Sequence, residues 1–193
     1  MPLPPSNQTV RINSTVPVYN LTVNATNSPT AQLLTNGLTV LNNLTISGGT
    51  LNANNLNLNV GGHWTNNGAF TPGTGTVTFD GMGNQNLGGG HAPSFNNLTL
   101  NHANGLTLSG GVDATVNATL TLTSGVMATG GNKLIIPATG AVARTSGHIF
   151  WPTAKTCGQR LEASAVPSKS VMQRPLTTRP LQLPLNPSLR PAT

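Results

Sequence analysis

The chain has 193 residues, of which 6% are charged and 4% aromatic. That is enough length for one domain, but far fewer ions than the roughly 25% charged residues of an average soluble domain. The formal net charge of +6 comes from one end. Arg11, Lys133, Asp80 and Asp113 cancel within residues 1–143, whereas residues 144–193 carry seven Lys or Arg against Glu162. The part expected to fold therefore has no basic face, which excludes a nucleic-acid partner for it.

In chain order, residues 1–16 are rich in Pro, Ser and Asn and are expected to form an extended N-terminal segment. A short hydrophobic beat follows, each time two apolar residues around one that is usually polar. It falls at Leu21–Val23, Leu38–Val40, Leu44–Ile46, Leu56–Leu58, Val77–Phe79, Leu98–Leu100, Leu106–Leu108, Leu120–Leu122 and Leu134–Ile136. This is the period of a strand with one buried face. Gly- and Asn-rich turns such as Asn36-Gly37, Asn67-Gly68, Pro72-Gly73 and Asn104-Gly105 separate the beats. Gly, Thr and Asn are poor interior helix residues, and no apolar stripe of helical period is present.

A sandwich needs longer strands and a bulkier aromatic core than these beats supply. A parallel β-solenoid fits better, because uncharged Asn and Thr can stack turn upon turn where like charges would repel. The β-region is assigned to residues 17–147. The inward set is expected to include Leu44, Ile46, Leu98, Leu100, Leu120 and Leu122. Two offsets, Leu21 to Leu98 and Leu44 to Leu120, suggest a tandem copy of a block of several strands. The uneven spacing of the beats argues for irregular loops and against a flat, regular ice-binding threonine array.

Residues 148–193 break the pattern. Glycine falls to Gly158 alone, Pro, Arg, Leu and Ser take over, and Cys157 is the lone cysteine. The segment is expected to be a disordered basic Pro-rich tail, with the strand end near Ile136 left open to self-association. An out-of-frame origin also fits: read from the third base of each codon into the first two of the next, Pro167 to Gln173 permits Phe-Glu-Val-Gly-Asp-Ala. The β-region has no cysteine framework. No apolar run of about 18 residues spans a membrane. The start, Met1-Pro2-Leu3-Pro4-Pro5, lacks the basic and apolar regions of a leader, and the chain is read as a piece of a longer exported protein.

The run Gly61-Gly62-His63-Trp64-Thr65-Asn66-Asn67-Gly68-Ala69-Phe70-Thr71-Pro72-Gly73, its continuation through Val77-Thr78-Phe79-Asp80-Gly81, and Phe95-Asn96-Asn97-Leu98-Thr99-Leu100 resemble segments of bacterial secreted and cell-surface β-helix repeat proteins, of the kind that form adhesin and autotransporter-passenger stalks. The resemblance spans residues 17–147. It implies an all-β, right-handed parallel β-helix, an extracellular or cell-surface location, a structural or adhesive role, and host or matrix glycans or other surface proteins as partners. It brings no catalytic residues.

Catalytic chemistry is thinly supplied. Asp80 and Asp113 are the carboxylates of the β-region, where a glycosidase needs a facing pair. His63, His91, His102 and His148 stand apart, without a second ligand at metal spacing. Asp80-Gly81-Met82-Gly83 does not make a calcium nonapeptide repeat, and the glycine runs are not followed by the Lys-Ser/Thr of a phosphate loop. The expectation is a non-enzyme with no catalytic, cofactor-binding or metal-ligating residues and no cofactor. The alternative is a carbohydrate-binding or carbohydrate-processing β-helix domain, with Trp64 and Phe70 as the candidate sugar-stacking residues. Core plugging is the competing role for these aromatics.

Overall fold

The computed structural model of the protein describes residues 9–25 and 29–145. The expected tail, its out-of-frame reading and Cys157 lie outside the described residues. Among the described residues there is no helix, and no helix long and apolar enough to cross a membrane.

The strands wind in successive turns of a coil. The first turn holds β1 (Thr9–Ile12) and β2 (Leu21–Val23). The second holds β3 (Thr30–Leu33), β4 (Leu38–Val40) and β5 (Leu44–Ile46). The third holds β6 (Thr50–Asn52), β7 (Leu58–Val60) and β8 (Trp64–Asn66), and the fourth β9 (Ala69–Thr71), β10 (Thr76–Phe79) and β11 (Gln85–Gly88). The fifth is β12 (Ser94–Asn101) and β13 (Leu106–Leu108), and the sixth β14 (Ala114–Ser124) and β15 (Met127–Ala128). β16 (Leu134–Ile135) and β17 (Ala141–Arg144) begin another.

Three sheets form the walls. The first runs β1-β3-β6-β9, the second β16-β14-β12-β10-β7-β4 with β17 also on β14, and the third β15-β13-β11-β8-β5-β2. Their strand pairs are parallel. The chain is therefore a parallel β-solenoid, as the sequence predicts. In turns five and six the first two walls fuse. Phe95 pairs with Val116 and Asn97 with Thr119, so one long strand passes a bulge where earlier turns make a corner.

The core is a set of columns, since in-register stacking places like positions over one another. Val40, Val60, Phe79, Leu100 and Leu122 line up through the second sheet, and all are buried. Leu44, Ile46, Leu98, Leu100, Leu120 and Leu122, the expected inward set, are all at most 3% exposed. Each such side chain is worth about 1.5–3 kcal/mol when buried.

Three expectations are corrected. The coil begins inside the segment assigned to 1–16, because β1 pairs with β3 along Thr9–Ile12. The beat at Leu56–Leu58 is displaced to Leu58–Val60: Asn54 and Asn55 take positive φ angles of 51° and 64°, and Leu56 falls in the corner they turn. The block duplication does not follow the architecture either. Leu21 lies in the third sheet and Leu98 in the second, so that offset is not a whole number of turns; the repeat of the fold is the single turn.

Candidate functional site: polar ladders and the outer face of the second sheet

Polar side chains at the corners bind the backbone of the next turn. Asn20 Oδ1 accepts the Asn43 N–H at 3.0 Å, and Asn43 Oδ1 accepts the His63 N–H at 2.9 Å. His63 Nδ1 then accepts the Asn86 N–H at 3.1 Å. These positions are in register, each just before a strand residue of the column Leu21, Leu44, Trp64 and Leu87. His63 is thus a rung of an asparagine ladder. Asn55 and Asn57 do the same for the N–H groups of Thr74 and Thr76, and Asn67 for that of Gly90.

Buried amides follow the same logic, because a polar group removed from water needs a partner. Gln85 donates to the carbonyls of Val60 and Gly62 at 2.8 and 2.7 Å, and its Oε1 accepts the Gly81 N–H at 3.2 Å. Asn66, which continues the inward column of Ile46, donates to the His91 carbonyl at 3.0 Å, while its buried Oδ1 has no partner among the described residues.

The two carboxylates do not face one another. Asp80 follows β10, whereas Asp113 precedes β14, two turns on, and accepts the Lys133 N–H at 2.6 Å. Asp80 lies near His102, which is buried with neither ring nitrogen partnered among the described residues. Desolvation raises the Asp80 carboxyl above its usual range, opposed by a backbone hydrogen bond and by His102. Desolvation lowers the His102 imidazole, opposed by Asp80. Among the described residues no group of three or more His, Cys, Asp or Glu side chains could hold a metal ion.

Of the aromatic candidates Trp64 is buried, a correction to the sugar-stacking expectation for it, and Phe70 is partly buried. Trp64 is 1% exposed and meets Phe70 edge to face, ring centroids 4.8 Å apart. Phe95 lies 5.5 Å from Trp64 and 5.8 Å from Phe70, and Phe79 lies 6.3 Å from Trp64. The four rings plug turns three to five, where the wall corner is being lost and the core needs bulk. Trp64 has no face to offer a sugar, and Phe70 is packed against the core. Among the described residues the aromatic that faces outward is Tyr19, 68% exposed, which the sequence reading did not single out. A cleft of about 350 Å³ opens at the first turn, lined by side chains that include Val10, Ile12, Leu21, Val23 and Pro29.

What the outer surface presents in quantity is a lattice on the second sheet. Thr39, Asn59, Thr78, Thr99 and Thr121 stack in one column. Two residues before each in sequence, Asn57, Thr76, Asn97 and Thr119 form a second. Strand geometry sets about 4.8 Å between rungs and about 6.7 Å between columns. The unequal lengths of the turns are taken up in the corners, so the lattice stays regular where the sequence spacing argues against it. No ionised side chain stands in either column. No family model, curated protein or solved structure matches the chain.

Proposed function

We propose that the solenoid is a structural, adhesive segment of an exported bacterial surface protein, without catalysis of its own. The observation that carries this reading is the use made of polar side chains. Asp113, His63, Gln85 and the corner asparagines are bonded to the backbone of their own coil, most of them to a neighbouring turn. Side chains that elsewhere do chemistry serve here to tie turn to turn, along the axis in which a stalk is loaded. The resemblance of residues 61–100 to secreted β-helix repeats supports the same reading. On this reading the protein is extracellular or at the cell surface, with host or matrix glycans or other surface proteins as its partners.

The test is immunological. Antibody raised against residues 9–145 should label intact, unpermeabilised source cells, and external protease should remove the label while a cytoplasmic marker survives. Label found only after permeabilisation would overturn the proposal.

A further inference from the structure

We propose that the outer face of the second sheet is an ice-binding surface. This goes beyond the stalk reading and does not depend on it.

The argument is geometric. In ice each oxygen is tetrahedrally bonded through O–H···O contacts of about 2.75 Å, so two oxygens sharing a neighbour lie about 4.5 Å apart, and the repeat along the hexagonal axis, eight-thirds of the bond, is about 7.3 Å. The face offers hydroxyls and amides at about 4.8 Å along the coil and about 6.7 Å across it. The mismatch is a few tenths of an ångström per step, small enough for side chains to absorb over a short array. Three consecutive rungs, Thr76/Thr78, Asn97/Thr99 and Thr119/Thr121, carry five threonines and one asparagine.

The side-chain chemistry agrees with the spacing. Threonine is β-branched and stiff at χ1, so a column of threonines holds its hydroxyls and methyls in fixed places rather than sweeping them through solvent. Among the described residues the threonine hydroxyl bonds fall at Thr35 and Thr74, in the corners, so the column threonines keep theirs for solvent, whereas the column amides Asn57 and Asn97 are bonded to the Thr76 N–H and the Thr74 carbonyl. The face is also uncharged, which matches an uncharged lattice: an ion would hold its own hydration shell against the crystal. The rung Asn57/Asn59 interrupts the array with longer amides, and Ala141/Ala143 ends it.

The experiment uses the full chain in a nanolitre osmometer, with ice recrystallisation followed in parallel. The wild type should show a thermal hysteresis gap, faceted crystals and suppressed recrystallisation. Thr78→Lys with Thr121→Lys, two turns apart so that the charges do not stack directly, should reduce all three to the buffer level while the circular dichroism spectrum is kept. Asn59→Thr, at a column position with no side-chain bond among the described residues, should widen the gap by lengthening the array. Thr45→Lys, on the outer face of the third sheet, should change nothing. Absence of hysteresis and of recrystallisation inhibition in the wild type overturns the proposal. So does an equal loss in Thr45→Lys.

Discussion

The backbone N–H of Asn86 donates to Nδ1 of His63, 3.1 Å away and 23 residues back along the chain. The ring nitrogen does what the Oδ1 of Asn43 does one turn earlier for His63 itself. A histidine in this position is an acceptor in a ladder, with its proton on Nε2, and no catalytic base need be invoked for it.

His63→Asn should therefore leave stability unchanged, since the amide oxygen restores the acceptor. His63→Leu should cost about 1 kcal/mol, the net worth of one hydrogen bond. Urea unfolding of the two variants checks this, and equal losses in both would remove His63 from the ladder.

Leu100 sits fully buried between Phe79 and Leu122 in the core column of the second sheet. Leu100→Ala should destabilise by about 2–5 kcal/mol through lost burial and the cavity left behind. Leu100→Asp should unfold the neighbouring turns. Thermal denaturation by circular dichroism measures both, and wild-type melting of the aspartate variant would contradict the inward assignment.

The inward columns were legible in the sequence because each beat alternates apolar and polar residues with the strand period. The first sheet was not legible. Three of its strands read Thr-Ala-Gln-Leu, Thr-Leu-Asn and Ala-Phe-Thr, with one large apolar residue each, too few to set a period. The strand at Trp64–Asn66 was hidden because its second inward position is the polar Asn66, whose amide finds a partner in the His91 carbonyl. Trp64 and Phe70 could not be placed inside or outside from composition alone, since the bulk they fill exists only where the first two walls fuse. The threonine lattice was obscured for a related reason. Sequence spacing counts corner residues that the sheet register does not.

Gly89 has a φ of +123°, and a Cβ there would run into the backbone of Asn66. Gly89→Ala should cost about 1–3 kcal/mol, the range for a residue forced into a sparsely populated backbone region. Gly83→Ala, at a position open to solvent, is the control and should be near neutral. Comparable melting temperatures for the two would show that the corner at Gly89 relaxes freely.

The His102 imidazole is lowered by desolvation, so the unfolded chain takes up a proton at higher pH than the fold does. Its contribution is complete above the ordinary imidazole value of about 6.5 and is lost as pH falls through that value toward the folded one. Asp80, raised by desolvation, has the opposite sign: its contribution is present below the ordinary carboxylate value and is lost as pH rises through the folded one. On acidification the two contributions act in opposite directions. The melting temperature should drop on acidification from about pH 7 to about pH 5, where the imidazole of an unfolded chain gains its charge, and His102→Leu should flatten that drop. An unchanged slope in the variant would assign the acid sensitivity elsewhere.

The central claim is the parallel, in-register coil, and disulfide trapping tests it most directly. Thr78 and Thr99 are Cα partners on adjacent turns, whereas Thr78 and Thr121 lie two turns apart. Adjacent parallel strands are about 4.8 Å apart, inside the Cα range a disulfide spans, whereas about 9.6 Å lies beyond the roughly 7 Å limit. In a Cys157→Ser background at low protein concentration, Thr78→Cys with Thr99→Cys should oxidise to an intramolecular disulfide, detected by mass spectrometry. Thr78→Cys with Thr121→Cys should stay reduced under the same oxidant. Equal oxidation of the two pairs, or oxidation of the second alone, would contradict the solenoid register.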